Sequence, residues 1–164
     1  MKLFIKNLLF TLIIPGTVGV YAPLLIVRGR SITSYPVLLL IGIVLLSIGA
    51  ATYFWTVWDF AITGKGTPLP IDAPKTLITR GLYRYIRNPM YVGILTLILG
   101  WASMFTDSWL LIYALGVWIA MHLFVRLYEE PRLGELFGEE YESYKSMVGR
   151  WVPLFYEGKD KYNH

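Results

Sequence analysis

The chain has 164 residues, of which 55% are hydrophobic and 16% charged, against roughly 25% charged in an ordinary soluble domain. That balance excludes a disordered chain, argues against a soluble enzyme, and leaves room for one domain with little mass outside a bilayer if several segments cross it. Cysteine is absent, which excludes disulfides, thiolate metal sites and cysteine nucleophiles, and the +4 net charge reads as orientation and anionic-lipid contact rather than nucleic-acid binding.

From Leu8 to Val27 and again from Val37 to Trp58 the chain carries no charge. Each run is long enough to span, since about 20 apolar residues at 1.5 Å per residue cover a hydrocarbon core of roughly 30 Å. Pro15 and Gly16 interrupt the first run, which a helix bundle tolerates. A signal peptide is the rival reading of this end, and Tyr21-Ala22-Pro23 is a poor cleavage site for it. Small residues Gly42, Gly49, Ala50 and Ala51 of the second run face either a partner chain or the bundle interior, which leaves the oligomeric state open.

A third apolar run covers Met90 to Phe105, and a fourth covers Trp109 to Leu127 with only His122 and Arg126 ionisable. The turn Thr106-Asp107-Ser108 between them predicts a tight antiparallel helical hairpin. The expectation is an all-α integral membrane protein of about four transmembrane helices, two within residues 1–60, and a core over 61–164. Four crossings put thirteen basic residues, among them Lys2, Lys6, Arg80, Arg84, Arg87, Arg126, Arg132, Lys145 and Arg150, on one side, with only Arg28 and Arg30 opposite. The positive-inside rule makes the richer side, with both termini, cytoplasmic; a bacterial inner membrane is the expected location.

The connection from Ile62 to Asn88 holds Gly64, Gly66, Pro68, Pro70 and Pro74, and connections of that length are functional or disordered. Its second half alternates Arg with Tyr just before a span, which also suits an interfacial anchor on lipid headgroups. Beyond Glu129-Glu130-Pro131, residues Leu133, Leu136, Phe137, Tyr141, Tyr144 and Val148 recur at helical spacing and predict one cytoplasmic amphipathic helix, slightly weakened by Gly138.

Ionisable groups at membrane depth are functional candidates. His122, Arg126 and Glu129 or Glu130 follow one another at helical spacing, although an Arg126–Glu130 pair and a packed His122 are the plainer structural readings. The step Asn88-Pro89 starts a helix with free backbone donors beside Arg87, a setting for an anion. Across the predicted hairpin, Glu129 and Glu130 suit an ammonium. A ligand with both charges, such as an amino acid moiety, satisfies both ends.

The stretches Gly81-Leu-Tyr-Arg-Tyr-Ile-Arg-Asn-Pro-Met-Tyr-Val-Gly93, Glu129-Glu-Pro-Arg-Leu-Gly-Glu-Leu-Phe-Gly-Glu-Glu-Tyr-Glu-Ser-Tyr144 and Arg150-Trp-Val-Pro153 resemble the integral-membrane methyltransferases that include isoprenylcysteine carboxyl methyltransferase and the phospholipid N-methyltransferases. The resemblance covers about residues 64–155. It implies S-adenosylmethionine as methyl donor, with Arg87, Asn88, Pro89, Tyr91, His122, Glu129 and Glu130 around it, and an acceptor entering from the bilayer. Family members often carry His where this chain has Asn88, which donates a hydrogen bond without a charge. No Gly-x-Gly-x-x-Gly follows a strand, which disfavours a soluble nucleotide-binding methyltransferase.

A carboxylate acceptor needs no general base, whereas an amine or thiol must lose a proton. The expected function is methyl transfer to a lipophilic acceptor or lipid, a carboxylate of the prenylcysteine type first, with a phospholipid or amine N-methyltransferase or a thiol S-methyltransferase as alternatives. Arg126 and Glu130 are the expected catalytic residues, with Arg126 or Arg150 orienting an anionic acceptor. A non-enzymatic membrane scaffold is the rival from another class.

Overall fold

The computed structural model describes residue 11 and residues 13–64 and 76–154. Expectations that rest on Lys2, Lys6, Gly66, Pro68, Pro70, Pro74 and the residues after Leu154 lie outside these described residues. Helices supply the regular structure: α1 Ile13–Ile26, α2 Pro36–Asp59, α3 Pro89–Phe105, α4 Ser108–Phe124, α5 Glu130–Phe137 and α6 Glu139–Met147. Among the described residues the one β-type contact is an isolated bridge between Ile86 and Gly149.

Two helices, Pro36–Ile62 and Ser108–Phe137, are long and apolar enough to cross a membrane, and α1 and α3 are shorter apolar helices. Their outward faces are apolar too. Leu40, Ile48, Phe54 and Trp55 on α2, and Leu111, Leu115 and Ile119 on α4, are exposed, which water would penalise and lipid does not.

Proline accounts for two widened turns. In α1 the Ala22 N–H reaches back five residues to the Thr17 carbonyl, and after α4 the Glu130 N–H does the same to Val125. Each widened turn, Thr17–Tyr21 and Val125–Glu129, ends two residues before a proline, Pro23 and Pro131. A proline ring pushes on the carbonyl four residues earlier, and one extra residue in the turn relieves it. Helix α4 therefore continues into α5 with a shifted register. In α1 the irregularity lies at Thr17–Tyr21, and the chain stays helical through Pro15 and Gly16.

The α2–α3 contact is the tightest. A Cβ on Gly49 would stand 2.8 Å from the Gly93 carbonyl, and one on Gly100 would stand 3.1 Å from that of Gly42. Only glycine permits backbones this close, so Gly42 and Gly49 face the bundle interior, while Ala51 is exposed. Tyr53, Met90, Ile94, Ile98 and Ala114 pack beside this seam. At the opposite end Thr106 takes a left-handed conformation, Asp107 caps the Leu110 N–H at 3.1 Å and pairs with Arg30.

Past α4 the expected single amphipathic helix is two. Gly138 at φ +51°, ψ −125° adopts a conformation open to glycine and breaks the run, so Tyr141, Tyr144 and Val148 fold back on Leu77, Leu133 and Phe137.

Candidate active site

A cavity lies where the start of α3 meets the turn between α4 and α5. The uncharged part of the Ser108–Phe137 helix ends before Arg126 and its apolar stretch at Leu127, so residues from Tyr128 onward lie beyond that apolar stretch. Arg87, Asn88, Tyr91, Glu129, Glu130 and Arg132 supply the polar lining, with Phe60, Met90, Val125, Leu133 and Leu136 as apolar walls and Tyr83, Tyr128, Tyr141 and Tyr144 between them.

The segment before α3 is clamped to α6 and to the chain after it. Arg87 N–H donates to the Gly149 carbonyl at 2.8 Å, Asn88 Nδ2 to the Arg150 carbonyl at 3.1 Å, and Tyr144 Oη to the Tyr83 carbonyl at 2.7 Å. This clamp delivers Arg150 to Glu130 with two parallel 2.7 Å hydrogen bonds, the strong bidentate form. Arg87 Nη1 stands 3.0 Å from the same carboxylate, yet off the line of a hydrogen bond, and its Nε and Nη1 are buried without a hydrogen-bond partner among the described residues. The Arg87 side chain is 10% exposed.

The two adjacent carboxylates have opposite environments. Burial alone would raise the Glu130 carboxyl, but Arg150, Arg87 and Lys145 outweigh it and hold it below the usual range. Burial raises Glu129, partly offset by the Tyr91 hydroxyl, which donates to Glu129 Oε2 at 2.9 Å, and reinforced by the Glu130 charge. Burial also pushes the Tyr141 hydroxyl up to about 12.

Arg87, Asn88, Tyr91, Glu129 and Glu130 thus meet at one cavity. Pro89 starts α3 behind it. His122 and Arg126 are not among its lining residues. His122 Nδ1 accepts the Trp151 indole N–H at 3.1 Å and stacks on that ring. Arg126 lies instead in an open surface depression with Glu130, Glu135, Glu142 and Lys145, so Glu130 borders both that depression and the cavity. In the sequence Arg132 stands out as a basic residue and as part of the Glu129–Tyr144 stretch, without a role of its own. The signal for it was its position three residues after Glu129 and four after Tyr128, on their helix face. Asp59 is buried outside the cavity lining, pairs through Oδ1 with Arg80 at 3.7 Å, and lies beside Gly81 at φ +58°, where a Cβ would collide with it.

A family model described as phospholipid methyltransferase matches residues 37–140. Among curated proteins the chain is 34% identical over 80 residues to protein-S-isoprenylcysteine O-methyltransferase of Schizosaccharomyces pombe, covering 48% of this chain and 33% of the relative. It is 30% identical over 118 residues to methanethiol S-methyltransferase of Pseudomonas deceptionensis, covering 62% and 44%. The matched region is less than half the length of each of these relatives. No solved structure matches the chain significantly.

Proposed function

The chain belongs to the phospholipid methyltransferase family, and from that premise we propose that it is a membrane enzyme using S-adenosylmethionine to methylate a lipophilic acceptor, first of all a carboxylate of the prenylcysteine type. One observation carries the reading: a nine-tenths-buried Arg87, whose Nε and Nη1 have no hydrogen-bond partner among the described residues, lines the same cavity as the buried Glu129 carboxyl. An α-amino acid end fits that pair, its carboxylate on Arg87 and its ammonium on Glu129. When bound, the cofactor supplies an activated methyl group on a sulfonium.

The chain's own part is alignment and exclusion of water. Well-oriented reactants can save roughly 7–11 kcal/mol of a barrier. Glu130, held by Arg150 and Arg87, fixes the guanidinium that receives the donor's carboxylate, and Tyr91 fixes Glu129. The apolar walls and the two segments clamped by Asn88 and Tyr144 keep the reacting atoms dry. A carboxylate acceptor requires nothing further. Similarity to a methanethiol S-methyltransferase over the longer of the two alignments supports the second reading, a thiol acceptor, which must lose its proton before it attacks.

We also read α3 and α4 as a transmembrane hairpin, with α1 and α2 completing four crossings and the cavity on the cytoplasmic side, as the distribution of basic residues supports. The direct test is calorimetric titration of S-adenosylmethionine into the detergent-solubilised protein and into Arg87→Gln and Glu129→Gln. Binding that weakens roughly tenfold or more while helicity is retained supports the pocket. A folded wild type that binds no donor, even with lipid added, points to the scaffold.

A further inference from the structure

Arg87 has a carboxylate within reach; among the described residues Arg132 is in no ion pair. Its Nη1 donates to Tyr128 Oη at 3.0 Å, and its guanidinium carbon lies 5.8 Å from the centre of the Tyr128 ring, so the residue one turn back holds it in a single orientation. Its Nε is buried without a hydrogen-bond partner among the described residues, and no ion pair among them includes it. A buried guanidinium N–H left unmade is costly, and a bound anion removes that cost.

We propose that Arg132 recognises an anionic head group on an amphiphilic methyl acceptor, seated in the cavity it shares with Arg87 and Glu129; this rests on the methyltransferase reading above. The surroundings fit such a ligand. Leu136 and Tyr128 at the cavity are exposed, as is the adjoining Leu127, so a hydrocarbon tail can leave the head group at Arg132 and run over apolar side chains. The charges fit as well. Arg87 and Arg150 share Glu130, Glu129 turns to the Tyr91 hydroxyl and not to Arg132, and three guanidiniums against these two carboxylates leave a positive charge for something brought in. The shared chemistry is a carboxylate or a phosphate on a long apolar chain.

The experiment measures binding, so it does not require turnover. The full chain in nanodiscs is titrated with N-acetyl-S-farnesylcysteine, with its methyl ester, and with farnesyl phosphate, for the wild type, Arg132→Gln and Arg132→Lys. The wild type is expected to bind at least one of the two anions roughly ten- to a hundredfold more tightly than the ester, and the tighter anion identifies the head group. R132Q should erase that preference, R132K should keep part of it, and both should bind S-adenosylmethionine as the wild type does. Equal binding of anions and ester by the wild type, or no binding of any of the three, overturns the proposal. So does an R132Q that still discriminates. An R132Q that also loses the methyl donor moves Arg132 to the donor's site and overturns it too. A wild type that discriminates through Arg132 yet binds no S-adenosylmethionine refutes the methyltransferase reading and leaves anion recognition standing.

Discussion

Glu129 and Glu130 are chain neighbours, yet the fold drives their acidities apart, and this difference is measurable. Glu129 is raised by burial, so the native state holds its proton where the unfolded chain has released it. Its contribution to stability is present at low pH and is lost as pH rises from the ordinary carboxylate value through the raised one. Glu130 is lowered, so its contribution is present above the ordinary value and is lost as pH falls through the lowered one. Thermal unfolding across pH 3 to 8 should therefore show Glu129→Gln gaining on the wild type as pH rises above the ordinary carboxylate value of 4.5, and Glu130→Gln falling behind as pH rises up to that value and not beyond it. A pH-independent offset for Glu129→Gln would contradict the assignment. Neither direction is visible in the sequence, where the two glutamates look alike. The distinction arises because one points to Tyr91 and the other to a clamp built from residues 87 and 150.

Helices were the most legible level. The uncharged runs, the Asn88-Pro89 start and the Thr106-Asp107 turn are local signals, and the structure places α2, α3 and α4 on them. What local spacing misses is the widened turn at Val125–Glu129, which shifts the helical register between Arg126, outside the cavity, and Arg132, which lines it, and the break at Gly138. The α2–α3 seam was half legible: small residues were evident, but which side they face depends on the partner helix. Gly49→Leu should force the seam apart and cost roughly 1–3 kcal/mol or more, read as a lowered midpoint of unfolding in detergent. Gly116→Ala, with nothing within 4 Å of its added Cβ, should be neutral or stabilising by up to about 1 kcal/mol. Equal effects of the two would show that the close approach of α2 and α3 does not matter.

At the scale of the whole molecule, apolar surface turned outward on two long helices and polar chemistry gathered at one end describe a protein that works on the membrane border. Membership of a methyltransferase family agrees with that division. The absence of cysteine makes the topology testable with single reporters. Ser34 and Ser146 are exposed, and cysteines placed there should be labelled by an impermeant maleimide from opposite faces of the membrane, Ser146 from the cytoplasmic one. Labelling of both from the same face would refute the crossing pattern.

The central claim is methyl transfer to a lipophilic acceptor, and the most direct measurement supplies methyl-labelled S-adenosylmethionine to the protein in lipid with N-acetyl-S-farnesylcysteine, phosphatidylethanolamine and an alkyl thiol in parallel. Label should enter the organic phase with at least one acceptor, as a base-labile methyl ester for the carboxylate, and should fall by roughly ten- to a hundredfold in Arg87→Gln. Label in none of the three, from protein that is folded and binds the donor, would contradict it.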